Sequence, residues 1–151
     1  YAHPIDMNLI PQIDVFLENG YTKEEQKIID ETKKIMSLPN LKITTTTVRV
    51  PVMGGHSESV NIEFNEKVDI AEIKSRLESA EGIRILDNPS TSEYPMPITA
   101  HDNDHVWIGR LRYDSSIDHG INLWIVSDNL RKGAATNAVQ IAEYILRKGW
   151  V

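Results

Sequence analysis

The chain has 151 residues with a formal net charge of -6, 40% hydrophobic and 25% charged residues, and no cysteine. That length suffices for one domain with a genuine core, and the acidic balance argues against a nucleic-acid partner, which wants a basic face. The lack of cysteine rules out disulfides, thiolate metal sites and a cysteine nucleophile within these residues, and no apolar run approaches a membrane span or a signal peptide.

Tyr1 stands where an initiator methionine would, and the expectation is a fragment or a processed product. Residues 1–20 read as irregular or extended, broken by Pro4 and Pro11. Thr22-Lys23-Glu24-Glu25 fits a capping box, with the Thr22 hydroxyl and the Glu25 carboxylate serving each other's backbone donors. A helix follows, with Ile28, Ile29, Ile35 and Met36 at helical spacing and Pro39-Asn40 as its end. Leu41 to Val52 reads as a strand, with Val48, Val50 and Val52 on one face and Thr45, Thr47 and Arg49 on the other. Pro51 marks an edge. Val60, Ile62 and Phe64 alternate with polar residues in a second strand, expected to pair antiparallel with the first.

Asp69 caps the next helix, with Glu72 in the capping-box position and Gly82 as the stop. Ile83, Ile85 and Leu86 suggest a short strand, and Asn88 to Asp104 a long loop. Val106 to Tyr113 is a strand that would carry Arg110 and Arg112 on the side of Val106 and Ile108. Ile121 to Val126, apolar on both faces, is expected at the centre of the sheet. The final helix runs from about Gly133 to Lys148, with Ala134, Ala138, Ile141 and Ile145 as its stripe and Gly149 as its end. This order implies an α+β domain: a mostly antiparallel or mixed sheet with helices packed on one face and the other face open. Thr45, Thr47, Arg49, Arg110 and Trp107 on that open face would meet a partner.

The chemistry centres on Gly55-His56-Ser57-Glu58, whose histidine lies seven residues beyond Arg49. Imidazole titrates nearest neutrality and both takes and gives a proton. Guanidinium grips a carboxylate through two parallel hydrogen bonds. Together they suit an enzyme acting on a small acidic substrate; a surface histidine and a solvated arginine are the bland alternative. Glu24 and Lys27 lie three apart on one helix, as an ordinary ion pair or as a grip on two groups of one ligand. His101 and His105 alternate with Asp102 and Asp104, which raises a metal site, but on a loop without preset ligand geometry. No dinucleotide fingerprint or P-loop is present, and the adjacent His56 and Ser57 cannot form a triad.

Four blocks in order carry a resemblance: Asn8-Leu9-Ile10-Pro11-Gln12-Ile13-Asp14; Tyr21 to Lys27 with Glu31 to Met36; Val48 to Glu58; and Ser127 to Glu143. Together they resemble the carboxy-terminal part of aspartate-semialdehyde dehydrogenase. That resemblance implies a substrate-binding and dimerisation domain over residues 1–151, of the glyceraldehyde-3-phosphate dehydrogenase-like C-terminal kind, with its open sheet face in a homodimer. Residues 129–151 would form a helix packing on a Rossmann domain that holds NADP and is absent here. It implies interconversion of 4-aspartyl phosphate and aspartate 4-semialdehyde with phosphate and NADP, in the cytoplasm, feeding lysine, methionine, threonine and diaminopimelate synthesis.

Carried over by position, His56 is the acid/base group, Arg49 binds the substrate carboxylate, Glu24 the substrate ammonium and Lys27 phosphate, and Asn129 touches the cofactor. Asn129 could instead only shape its turn. Thr47 stands where many family members have a cysteine that is not the nucleophile. The thioester-forming cysteine is missing too, so the isolated chain is expected to be inactive. A non-catalytic dimerisation or binding module remains open. So does the related N-acetylglutamyl-phosphate reductase, although its acetylated amine would give Glu24 no cation.

Overall fold

The computed structural model describes all of residues 1–151, which divide into two compact units, Tyr1–Pro51 and Val52–Val151. No helix is long and apolar enough to cross a membrane.

The first unit is built around helix α1, Lys23–Ile35. Its capping box forms as expected: Glu25 N–H donates to the Thr22 hydroxyl (3.3 Å), and Thr22 N–H donates to Glu25 Oε2 (2.7 Å). Thr22, Glu25 and Ile29 are buried, but Ile35 and Met36 are exposed. The helix stops at Ile35, before Pro39-Asn40, because Ser37 turns left-handed at φ 54°. Leu41–Val52 forms no strand. Its one pairing is an antiparallel bridge between Arg49 and Ile10, and Val48, Val50 and Val52 are exposed. A ladder needs a neighbouring strand, and this segment has none in its unit. The expected pairing with the strand after the glycine loop is therefore absent, as is the sheet face that Thr45, Thr47 and Arg49 were to share with Arg110 and Trp107.

The second unit is a four-stranded mixed sheet. Strands β1 (His56–Glu63), β2 (Ile83–Ile85), β3 (Val106–Asp114) and β4 (Gly120–Ser127) lie in the order β1-β4-β3-β2. β4 pairs antiparallel with β1 and β3, and β2 runs parallel to β3. β4 thus holds the interior position that its two-faced apolar sequence predicts. Ile108, Ile121 and Leu123 are buried on one face, where Val60, Ile62 and Ile73 and Leu77 of helix α2 (Ile70–Ser79) pack on them. The residues alternating with these point to the opposite face. There Trp124 donates its indole N–H to the Pro95 carbonyl (2.9 Å), while Ser57, Ser59 and Asn61 of β1 are exposed.

Several local expectations change. Asp69 caps α2 through Ala71 N–H, but Glu72 pairs with Arg76 (2.7 Å) instead of returning to the cap. α2 ends at Ser79, and Gly82 (φ 80°) serves the turn into β2. The stretch 88–104 contains a 3-10 turn, Pro89–Thr91, and a short helix, α3, Pro97–Ala100. β3 is broken by an irregularity between Gly109 and Arg112, with Arg110 at φ 58°. Asp87 holds this bulge by accepting from Arg110 N–H (2.8 Å) and Leu111 N–H (3.1 Å). The alternation that would place Arg110 and Arg112 with Val106 and Ile108 is lost there.

The last helix starts as a π-turn, Arg131–Ala135, and continues as α4, Thr136–Arg147, with Gly149 (φ 66°) beyond its end. Its expected apolar stripe is not buried. Polar ties hold it instead: Arg147 to Glu81 (3.1 Å), Thr136 to Asp104 (2.8 Å), and Arg131 to Asp102 and Asp104 (3.4 and 3.3 Å).

Candidate active-site residues

In the first unit, Glu24, Lys27 and Arg49 depend on Glu25. Beyond its capping role, Glu25 Oε1 accepts Thr47 N–H (2.8 Å) and lies 3.4 Å from the Thr47 hydroxyl. One buried carboxylate therefore fixes the start of α1 and the segment ending in Arg49. The backbone donors of Thr22 and then Thr47 hold its pKa below the ordinary value. The Thr47 hydroxyl faces this carboxylate.

Arg49 is fixed through its backbone, with N–H donating to Ile10 O (2.8 Å) and Ile10 N–H donating to Arg49 O (3.1 Å). Its exposed guanidinium makes no salt bridge and lies 5.9 Å from the Tyr1 ring centroid. It lines a shallow cavity of about 180 Å³ with Tyr1, Ala2, Ile10, Gln12 and Asp14. An unpaired guanidinium beside an open cavity can receive a carboxylate in bidentate fashion. Glu24 and Lys27 do come together, with Nζ 3.5 Å from Oε1 on the half-exposed face of α1. Such a pair alone contributes only a few tenths of a kcal/mol, about 0.2–0.5, so both ends can be exchanged for ligand charges.

In the second unit, His56 is the first residue of β1 and lies opposite Ser127 of β4. Gly54 (φ 63°) and Gly55 (φ 85°) precede it in left-handed conformation. Their positive φ strains any residue with a side chain, and the space is tight: a Cβ would stand 3.0 Å from His101 Nδ1 at Gly54 and 3.0 Å from Ser127 O at Gly55. The exposed His56 ring forms no hydrogen bond and no ion pair. The π-turn lies against it, such that a Cβ on Gly133 would be 3.4 Å from Nε2. An imidazole with both nitrogens unclaimed and one edge open can act as acid or base.

Asn129 accepts Gly55 N–H at Oδ1 (3.1 Å), so it joins the loop of His56 and does more than shape its own turn. Its Nδ2 has no partner within the chain. Asp128, which the sequence marks only as a turn residue, is buried and central. Its Oδ1 accepts Leu130 and Arg131 N–H (both 2.8 Å), and its Oδ2 accepts Asp102 N–H (3.0 Å). Its carbonyl accepts Gly133 N–H (2.9 Å), and His101 Nδ1 is 3.7 Å from Oδ2. The Arg131 donor, followed by those of Asp102 and Leu130, holds its carboxyl below the usual range. The signal for it was present: an aspartate two and three residues ahead of free helix donors is an Asx cap.

No three acidic or histidine side chains converge to hold a metal ion. The aspartates of the 101–105 stretch serve Arg131 and Thr136, and the His105 ring pairs with Asn103 (2.8 Å).

Residues 1–132 match the family model described as semialdehyde dehydrogenase, dimerisation domain. An aspartate-semialdehyde dehydrogenase of Aquifex aeolicus is 48% identical over all 151 residues, which span 44% of that relative. The structure of aspartate semialdehyde dehydrogenase II from Vibrio cholerae, complexed with ASA, superposes with a TM-score of 0.92 at 47% identity, over 97% of this chain and 43% of that one. The Candida albicans aspartate semialdehyde dehydrogenase with NADP gives 0.76 at 26% identity, over 97% and 46%. The chain thus spans less than half the length of these relatives.

Proposed function

Because the chain belongs to the semialdehyde dehydrogenase dimerisation-domain family, we propose that it is the substrate-binding and dimerisation part of an aspartate-semialdehyde dehydrogenase. The whole enzyme, in this reading, interconverts 4-aspartyl phosphate and aspartate 4-semialdehyde with phosphate in the cytoplasm, supplying lysine, methionine, threonine and diaminopimelate synthesis. NADP supplies or accepts the hydride. It is held mainly outside these residues, and the unpartnered Nδ2 of Asn129 is the group here that would touch it.

The observation that carries the reading is the state of His56: an exposed ring with no internal partner, set on a glycine loop and backed by Gly133. It gives and takes the proton of the reacting carbonyl oxygen as the thiohemiacetal forms and collapses. Arg49, free of any carboxylate, pairs with the substrate carboxylate. Glu24 receives the substrate ammonium and Lys27 the phosphate, their mutual contact giving way to ligand charges. The thiol nucleophile lies outside these 151 residues, which contain no cysteine, so the isolated chain turns nothing over. The exposed face bearing Ser57, Ser59 and Asn61 serves a homodimer. The uncovered side of residues 129–151, with Val139, Leu146 and Trp150 exposed, packs on the cofactor domain.

A purely structural dimerisation module is the second reading, favoured by the missing cysteine. Replacing His56 by Ala in the full-length enzyme separates the two. Turnover should fall by about 10²- to 10⁴-fold while the dimer persists; undiminished turnover would overturn the acid/base role.

A further inference from the structure

We infer that Asn129 is a positioning residue for His56, acting through the Gly55 amide. The inference rests on the acid/base reading of His56. Two consecutive glycines leave the backbone before His56 with more conformational freedom than any other residue pair would. Apart from the sheet ladder, the bond from Gly55 N–H to Asn129 Oδ1 is the single hydrogen bond made by Gly54 or Gly55.

Asn129 is itself held. It follows Asp128, whose buried carboxylate takes three backbone donors from two segments and whose carbonyl takes Gly133 N–H. The same short stretch thereby fixes the Gly55 amide from one side and lays Gly133 against the His56 ring from the other. Asn129 divides its amide: Oδ1 is committed to Gly55, and Nδ2 is free. A role confined to the cofactor would need only the nitrogen end. A positioning role needs only the oxygen end.

That division defines the test, with Asn129→Ala removing both ends and Asn129→Asp keeping an oxygen acceptor. Amide hydrogen exchange at Gly55 is followed by NMR in the 151-residue chain. Exchange should accelerate about 10-fold in N129A, the loss of one net hydrogen bond, and return toward wild type in N129D. In the full-length enzyme, kcat of N129A should fall on the order of 100-fold through misplacement of His56, and N129D should recover most of that loss in kcat, whereas a rise in KM for NADP from the lost Nδ2 should be common to both variants. Unchanged Gly55 exchange in N129A would overturn the inference. So would equal damage by both variants confined to KM for NADP. A full-length protein without aspartate-semialdehyde turnover would defeat the functional reading alone, and the exchange measurement would still decide the positioning contact.

Discussion

Glu25 shows how much one side chain can fix. Its neighbours Glu24 and Lys27 are the charges proposed to meet a ligand, but Glu25 secures the helix start through Thr22 and the Arg49 segment through Thr47. Its folded pKa is lowered from 4.5 by those donors. A lowered carboxyl stabilises the fold fully above its unfolded value and loses that contribution as pH falls from there through the folded value. Thermal unfolding should therefore show Glu25→Gln destabilised by about 1 kcal/mol at pH 7, the gap closing at pH 3. A gap as wide at pH 3 would refute the ionised role. The capping box was legible because it is local, written within Thr22 to Glu25. The bond to Thr47 joins residues 22 apart, and no periodicity announces such a contact. Asp128 is a similar case: its turn was legible, but the reach to Asp102 was not.

At the level of elements, periodicity located both long helices, the central strand and β3. It misjudged Leu41–Val52, whose alternation of valine with polar residues fits a strand as a pattern. A strand is realised only by a neighbour's donors and acceptors, and here the bridge to Ile10 is all there is. β3 adds a different limit. Its bulge depends on Asp87 and on Gly109, which has no room for a side chain because a Cβ would collide with the Leu86 carbonyl and the Pro95 ring. Gly109→Ala should cost about 1–3 kcal/mol by overpacking, read as a lower urea midpoint with an unchanged m-value. An unaltered midpoint would show that the 86–95 stretch yields freely.

For the whole molecule, composition and element order predicted an α+β architecture with a mixed sheet, and the four-stranded sheet realises it. The proposed site residues come from sequence blocks and not from geometry: Arg49, Glu24 and Lys27 belong to one compact unit, His56 and Asn129 to the other. The proposed dimer makes its own prediction. Sedimentation of the 151-residue chain should show a species of twice the 17.1 kDa chain mass, and a lone monomer at every concentration would count against the exposed sheet face as its interface.

The attachment of α4 separates it from the layer beneath. Glu81 with Arg147, and Arg131 with two aspartates, are exposed ion pairs, whereas Ile108, Ile121 and Leu123 are joined by aliphatic burial. Electrolyte acts oppositely on the two: added salt weakens the first as the screening length shrinks from about 10 Å at 0.1 M to about 3 Å at 1 M, and kosmotropic salts tighten the second. Ionic strength is thus the variable that loosens this helix's moorings while leaving the sheet intact.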